Sequence, residues 1–393
     1  MSVSQVRKVI FIFKLSVIVA LLFVIIYVLS FKDALGSDFV SFMTGALVVR
    51  QGDGELLYDV PTQYNYQKIV IEPQREATVL PFRHIPLFAL LFIPFTFLPL
   101  LFAYKLFAIV NLGALLFFCF LTTRTFKKFN FDTVWPYLVF VFYPTLGSIF
   151  VGQISILLIL LLLLIYRYSR KQNSFTSGIL SGLLFLKIQY ILFIPFIFVL
   201  SKTKKMYLKG LFLSTTIIFL LSILIFGPNF FYNYPSFLIK TENPIFGSRT
   251  QDMVTFYATL ARIKPFSINQ ASFLILINMV FYALSLFLFY RILKRLNFGE
   301  AFVFGLVSTL VFSVHAIDYD LSLLIIPILI LGEMFYLKRK DYRYISLVFL
   351  YILLHALAIL AKEYLISPVL LFSSVLLYPR FGFFLNKNTN QIK

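Results

Sequence analysis

Long apolar runs alternate with short polar breaks, most of them basic, along nearly the whole chain. Runs at residues 9–31, 100–122, 207–226 and 271–290 reach the ~20 residues that a membrane-spanning helix requires. With the further runs at 134–150, 154–166, 302–313, 321–336, 344–361 and 366–377, the pattern predicts an all-α polytopic bundle of about ten spanning helices. Two stretches break the rule. Residues 86–97 hold Pro86 and Pro94 and are too short to cross, so they read as a re-entrant or steeply tilted segment. Residues 178–200 lie between Arg170/Lys171 and Lys202/Lys204/Lys205. Both ends therefore belong on one side, which predicts a hairpin of half-helices turning near Lys187-Ile-Gln-Tyr190.

Polar sequence concentrates in two loops, at 32–85 and 227–267. In the first, Phe39, Phe42, Met43, Ala46 and Val49 recur at helical spacing, which predicts an amphipathic helix over 38–50 lying along the membrane surface. Asp38 begins it, just past the first spanning run. A carboxylate there is a functional candidate, because charge at a lipid boundary is costly unless it faces water or a substrate. It is equally a good N-cap, and the two roles are compatible.

Composition narrows the class. Hydrophobic residues make up 60% of the 393 and charged ones only 13%, about half the charged fraction of a soluble domain. Mean hydropathy is +0.92. The chain reads as a single integral-membrane domain over 1–393, with the run at 9–31 too long for a signal-peptide core. The net charge of +19 reflects topology rather than nucleic-acid binding, since basic residues gather in cytoplasmic loops. Placing Arg7, Lys8, Arg124, Lys128, Arg167 and Lys338 inside puts both termini in the cytoplasm, as expected for a plasma-membrane protein. Most acidic residues, Asp38, Asp53, Glu242, Asp318, Asp320 and Glu363 among them, then fall on the outer face. Acids do little to set orientation, so their accumulation points to chemistry there. The single cysteine, Cys119, rules out an intrachain disulfide.

The outer face collects Asp38, Arg83, His84, Gln153, Lys187, Arg249, Arg262, His315, Asp318 and Asp320. One carboxylate among several cations suits general-base catalysis beside an anionic leaving group. Lys187 is the sharpest of the cations, because an ammonium within an apolar hairpin is expensive, although a long stem can also snorkel. His84 and His315 with Asp318 and Asp320 form a weaker alternative, a divalent-metal pattern, and N-capping by Asp320 explains the Asp-x-Asp equally well. His355 reads as a packed core residue. No cofactor is expected, with a divalent ion left open. Broken helices and intramembrane charge also fit a transporter or flippase, but the two corresponding halves common in transporters are not visible.

Ordered motifs carry a resemblance. Gly36-Ser-Asp38-Phe39 through Leu57-Tyr58-Asp59, Phe82-x-x-x-Pro86-Leu87 with Pro94 and Pro99, Asn111, Gly152-Gln153, Gly178…Gly182…Lys187 and Ser313-x-His315…Tyr319-Asp320-Leu321 with Pro327 look like glycosyltransferase family 87. The chain departs from it in having His84-Ile85-Pro86 where Tyr-Pro-Pro is usual, and in lacking the proline that commonly follows the lysine. The resemblance implies a GT-C fold and sugar transfer from a polyprenyl-phosphate donor to a lipid or glycan acceptor on the outer face. It also implies that Asp38 activates the acceptor hydroxyl, while Lys187 and His315 face the lipid phosphate. Arg83, His84, Gln153 and Asp320 are the further substrate-binding candidates.

Overall fold

The computed structural model describes residues 3–32, 34–35, 37–71, 80–242, 246, 250–263, 268–338, 341–361 and 366–377. Seventeen α-helices account for most of them. Helix α1 (Val3–Ser30) is followed by α2 (Phe39–Arg50), α3 (Val60–Ile71), α4 (Pro86–Leu90), α5 (Leu100–Thr125), α6 (Tyr143–Phe150) and α7 (Ser155–Arg170). Next come α8 (Ser174–Gly182), α9 (Ile194–Leu200), α10 (Lys204–Phe226), α11 (Phe230–Thr241) and α12 (Phe256–Ile263). The chain ends with α13 (Ile268–Ile292), α14 (Phe298–Phe312), α15 (Ile325–Leu337), α16 (Tyr342–Ala361) and α17 (Ile366–Leu376).

The chain is an all-α polytopic membrane protein. Among the described residues, five helical stretches are long and apolar enough to cross a membrane: Lys8–Ser30, Leu100–Thr125, Lys204–Phe226, Ser272–Arg295 and Asp318–Leu337. Other apolar helices are shorter, at 10–17 residues. The reason is visible in the sequence. Pro86, Pro94, Pro136, Pro144 and Pro195 each sit in the first turn of a short helix, where a missing N–H costs nothing, so each restarts the chain instead of letting it run on. The segment at 86–97 is accordingly helix α4, a turn and a 3-10 helix over Ile93–Phe97.

Helix α2 forms where the spacing predicts it, but every residue from Phe39 to Val48 is buried, so it does not lie along a membrane surface. Helices α3, α4 and α5 and the 3-10 helix after α4 all pack on it. Polar positions that seemed bound for water are covered instead by α3, whose own Gln63 and Gln67 are buried. Residues 178–200 break into halves. Helix α8 tightens to a 3-10 turn over Leu183–Leu186, the backbone leaves helical geometry at Lys187 (φ −131°, ψ 90°), and a second 3-10 turn over Ile188–Phe193 leads into α9.

Helices α8 and α10 cross in close contact. A Cβ on Gly178 would lie 2.1 Å from the Tyr207 carbonyl oxygen, and one on Gly210 the same distance from that of Phe175. Small residues at a crossing let two backbones meet, the usual device where lipid supplies no hydrophobic drive. This contact anchors the half-helix that ends at Lys187.

Candidate active site

The site is built on five segments between helices. Asp38 precedes α2 in αR geometry, and its carboxylate makes no capping hydrogen bond. Its partner is across the fold: Gln153 Nε2 donates to Asp38 Oδ2 at 2.6 Å. Gln153 follows Gly152, which has φ 69° and would place a Cβ 2.7 Å from that of Phe39, so this tight turn requires glycine on two counts. The same turn holds the Asp38 backbone, whose N–H donates to the Val151 carbonyl at 2.8 Å. Main chain and side chain of Asp38 are thus both fixed by residues 151–153. Gln153 Nε2 also lies 3.1 Å from the Tyr319 hydroxyl, which is itself hydrogen-bonded to Asp38.

Lys187 occupies the break between the half-helices and is 4% exposed. Its ammonium donates to Asp320 Oδ1 at 2.5 Å and sits over the rings of Tyr190 and Tyr319, 5.4 Å from each centroid. Asp320, fully buried, accepts the Ile317 N–H through its other oxygen at 3.1 Å. It therefore stands behind Lys187 as a counter-ion and does not line the cavity.

Arg83 and His84 lie on the segment after α3. Buried Gln63 donates to the Leu57 carbonyl and accepts the Phe82 N–H, Gln67 bonds both backbone groups of Leu80, and the Tyr58 hydroxyl donates to the His84 carbonyl at 2.8 Å. The Leu57-Tyr58-Asp59 motif is therefore scaffolding, with Asp59 capping α3 through Thr62. Arg83 donates to the Thr241 and Phe246 carbonyls, and burial lowers its pKa. His84 stacks on Phe88 at 4.2 Å, and its Nδ1 lies 3.2 Å from the Leu186 carbonyl. A carbonyl only accepts, so Nδ1 carries the proton and Nε2 is the acceptor. Burial, reinforced by Lys187, pushes the His84 pKa down to about 3. His84 is thus neutral at ordinary pH, suited to accepting a hydroxyl and not to neutralising a phosphate.

His315 Nδ1 pairs with Glu242 Oε1 at 2.9 Å on the rim. Asp38, Arg83, His84, Gln153, Lys187 and His315 all line one cavity of about 120 Å³, so six of the seven sequence candidates converge. Arg262 instead donates to the Gln251 and Met253 carbonyls, and Arg249 lies outside the described residues. The divalent-metal pattern does not assemble. Asp320 is committed to Lys187, and among the described residues no group of three His, Cys, Asp or Glu side chains is placed to hold a metal ion. Tyr319 and Tyr190 were legible only as neighbours of motif residues, because nothing in their spacing signals that their rings flank Lys187.

Beside this polar chamber runs an apolar groove of about 280 Å³, walled by Phe88, Phe92, Phe107, Leu158 and Leu183 among others, and Lys187 lines both. A polar chamber with one clamped carboxylate and one buried ammonium thus opens beside an apolar groove. By family comparison, the chain belongs to glycosyltransferase family 87, whose sequence profile matches residues 82–314, and is a membrane glycosyltransferase. The matched stretch contains Arg83, His84, Gln153 and Lys187, while His315 and Asp320 fall just past its end and Asp38 lies well before its start. No match was found among curated proteins, and none among solved structures.

Proposed function

We propose that this enzyme transfers a sugar from a polyprenyl-phosphate donor to a hydroxyl of a lipid or glycan acceptor. The observation that carries the reading is the position of Lys187 at the junction of the polar chamber and the apolar groove. A donor of this class has that same layout, with a hydrocarbon tail, one phosphate and a sugar in sequence. The tail occupies the groove, the phosphate meets Lys187, and the sugar enters the chamber toward Asp38.

In the reaction, Asp38 takes the proton of the acceptor hydroxyl as its oxygen attacks the anomeric carbon. The bond from that carbon to the phosphate oxygen breaks with its electron pair, releasing polyprenyl phosphate, and Lys187 and Arg83 offset the charge that grows there. Attack from the Asp38 side, opposite the leaving phosphate, inverts the anomeric centre. Gln153 holds Asp38 Oδ2 and Tyr319 bonds the same carboxylate, which orients it toward the acceptor. His315, tied to Glu242, bounds the chamber near the phosphate, and the neutral Nε2 of His84 accepts from a substrate hydroxyl. The active site faces the outside of the plasma membrane, with both termini in the cytoplasm, in keeping with the basic clusters at the opposite end of the bundle.

The test is incubation of the purified protein with a panel of polyprenyl-phosphate sugars and an acceptor extract, following release of polyprenyl phosphate. Release with one donor, lost in Asp38→Asn, is the expected result. Turnover of a nucleotide sugar, with every lipid-linked donor inert, would overturn the reading.

A further inference from the structure

At the far end of α7, some 24 Å from the Asp38 chamber by the rise of its 16 residues, a separate cavity of about 410 Å³ opens between α7, α9, α14 and α15. Three cations line it: Arg170, Lys202 and Lys338. The one carboxylate in its wall, Glu333, is already occupied. It is 2% exposed, pairs with Arg170 at 2.6 Å and accepts the Lys127 N–H through its second oxygen at 2.6 Å. Lys338 lies 3.5 Å from a second buried carboxylate, Glu300, so the three cations face two carboxylates, and the remaining excess of positive charge sits at Lys202. Beside the polar Ser169, Gln172 and Asn297, an apolar part of the wall is formed by Leu200, Phe298, Met334 and Leu337, and Leu337 continues onto the exposed outer surface of the bundle beside Tyr336.

Gln172 adds an independent observation. Among the described residues it is the one non-glycine with positive φ, at 61°. It stands just past the end of α7, where the Asn173 N–H closes back on the Tyr168 carbonyl, a position glycine usually fills. A side chain kept in that backbone state signals a use for it. Here the side chain lines the cavity and accepts from Lys202 Nζ at 2.8 Å, holding that cation at the mouth.

We infer that this cavity is a binding site for the phosphate headgroup of an anionic phospholipid, with the acyl chains leaving along Leu337 and Tyr336. Basic pockets between spanning helices on the cytoplasmic side are suited to such headgroups. The apolar exit favours a lipid over a free phosphate, and the site is independent of the sugar-transfer chemistry proposed above.

The test measures binding to the purified protein in mild detergent by native mass spectrometry, using phosphatidylglycerol, phosphatidylcholine and inorganic phosphate as separate probes. Phosphatidylglycerol is expected to bind at least tenfold more tightly than phosphatidylcholine. Lys202→Gln should remove most of that preference, whereas Lys171→Gln, at a basic position that does not line the cavity, should keep it. Arg170 and Lys338 are left in place because they pair with buried Glu333 and Glu300. Gln172→Gly relaxes the backbone and should retain the fold while weakening the lipid several-fold, which guards against reading a misfolded variant as a lost site. Equal loss in Lys202→Gln and Lys171→Gln would reduce the effect to general surface charge and overturn the inference. Inorganic phosphate binding as tightly as the lipid would overturn the assignment to a lipid.

Discussion

Replacing Lys187 with methionine removes the side-chain cation bonded to Asp320, a carboxylate with no solvent exposure. Breaking a buried ion pair from one side leaves its partner charged in a low-dielectric setting and costs about 3–5 kcal/mol. Lys187→Met alone should therefore lower thermal stability sharply as well as activity, and its lost turnover would say little about the donor. The double variant Lys187→Met/Asp320→Asn separates the two effects. Asparagine retains an oxygen for the Ile317 N–H, now 3.1 Å from Asp320 Oδ2, and removes the stranded charge. Most of the stability should return. Donor affinity should not, because a charge-assisted hydrogen bond to phosphate contributes about 1.5–3 kcal/mol, roughly ten- to a hundredfold in binding. Thermal unfolding in detergent and equilibrium binding of a polyprenyl-phosphate sugar give the two readouts. If the double variant binds donor as the parent does, Lys187 contributes only to folding; if the single variant is as stable as the parent, the pair is not the buried load described here.

Asp38→Asn keeps the shape and can still accept from Gln153 but cannot take a proton, so turnover should fall by about 10²–10⁴ with thermal stability almost unchanged; near-normal transfer in initial-rate assays would refute the base assignment. His84 has its pKa depressed to about 3, so the unfolded chain binds a proton that the folded one refuses once pH drops below the free-histidine range. Its contribution to stability is complete above ~6.5 and is lost as pH falls toward about 3, so His84→Phe should flatten the decline in melting temperature between pH 6.5 and 4; an unchanged slope would discard this account. A tag after Lys393 should be reached only from the cytoplasm and one inserted at Gly54 only from outside, and labelling of both from one side would reverse the proposed orientation.

The sequence exposed this architecture wherever a signal was local. Charge on both flanks of residues 178–200 was enough to predict a broken hairpin at Lys187, and the prolines at 86 and 94 marked a segment too short to cross. Helix α2 shows where locality fails. Its apolar spacing is that of a half-buried helix, and only the tertiary placement of α3, pinned through Gln63 and Gln67, buries the other half. The site divides in the same way. Asp38, Lys187 and their companions were readable because charge in a hydrophobic chain is conspicuous. That Gln153 would clamp Asp38 from 115 residues away, and that Asp320 would stand behind Lys187 instead of beside the substrate, depends on contacts no spacing encodes. The Gly178 and Gly182 pair, met in sequence as part of a motif, serves helix packing.

That packing bears on what the enzyme can measure. With glycines at the α8–α10 crossing, the half-helix ending at Lys187 has little slack against its neighbour, and the Gly152 turn leaves Asp38 equally little. For a transfer of the kind proposed, the two charges become fixed marks on a ruler: the phosphate registers at one and the attacking oxygen at the other. Since a misplacement of ~1 Å can cost ~10²-fold in rate, a donor whose sugar is carried on two phosphates would overshoot the second mark. Such a donor could be bound and held without being used.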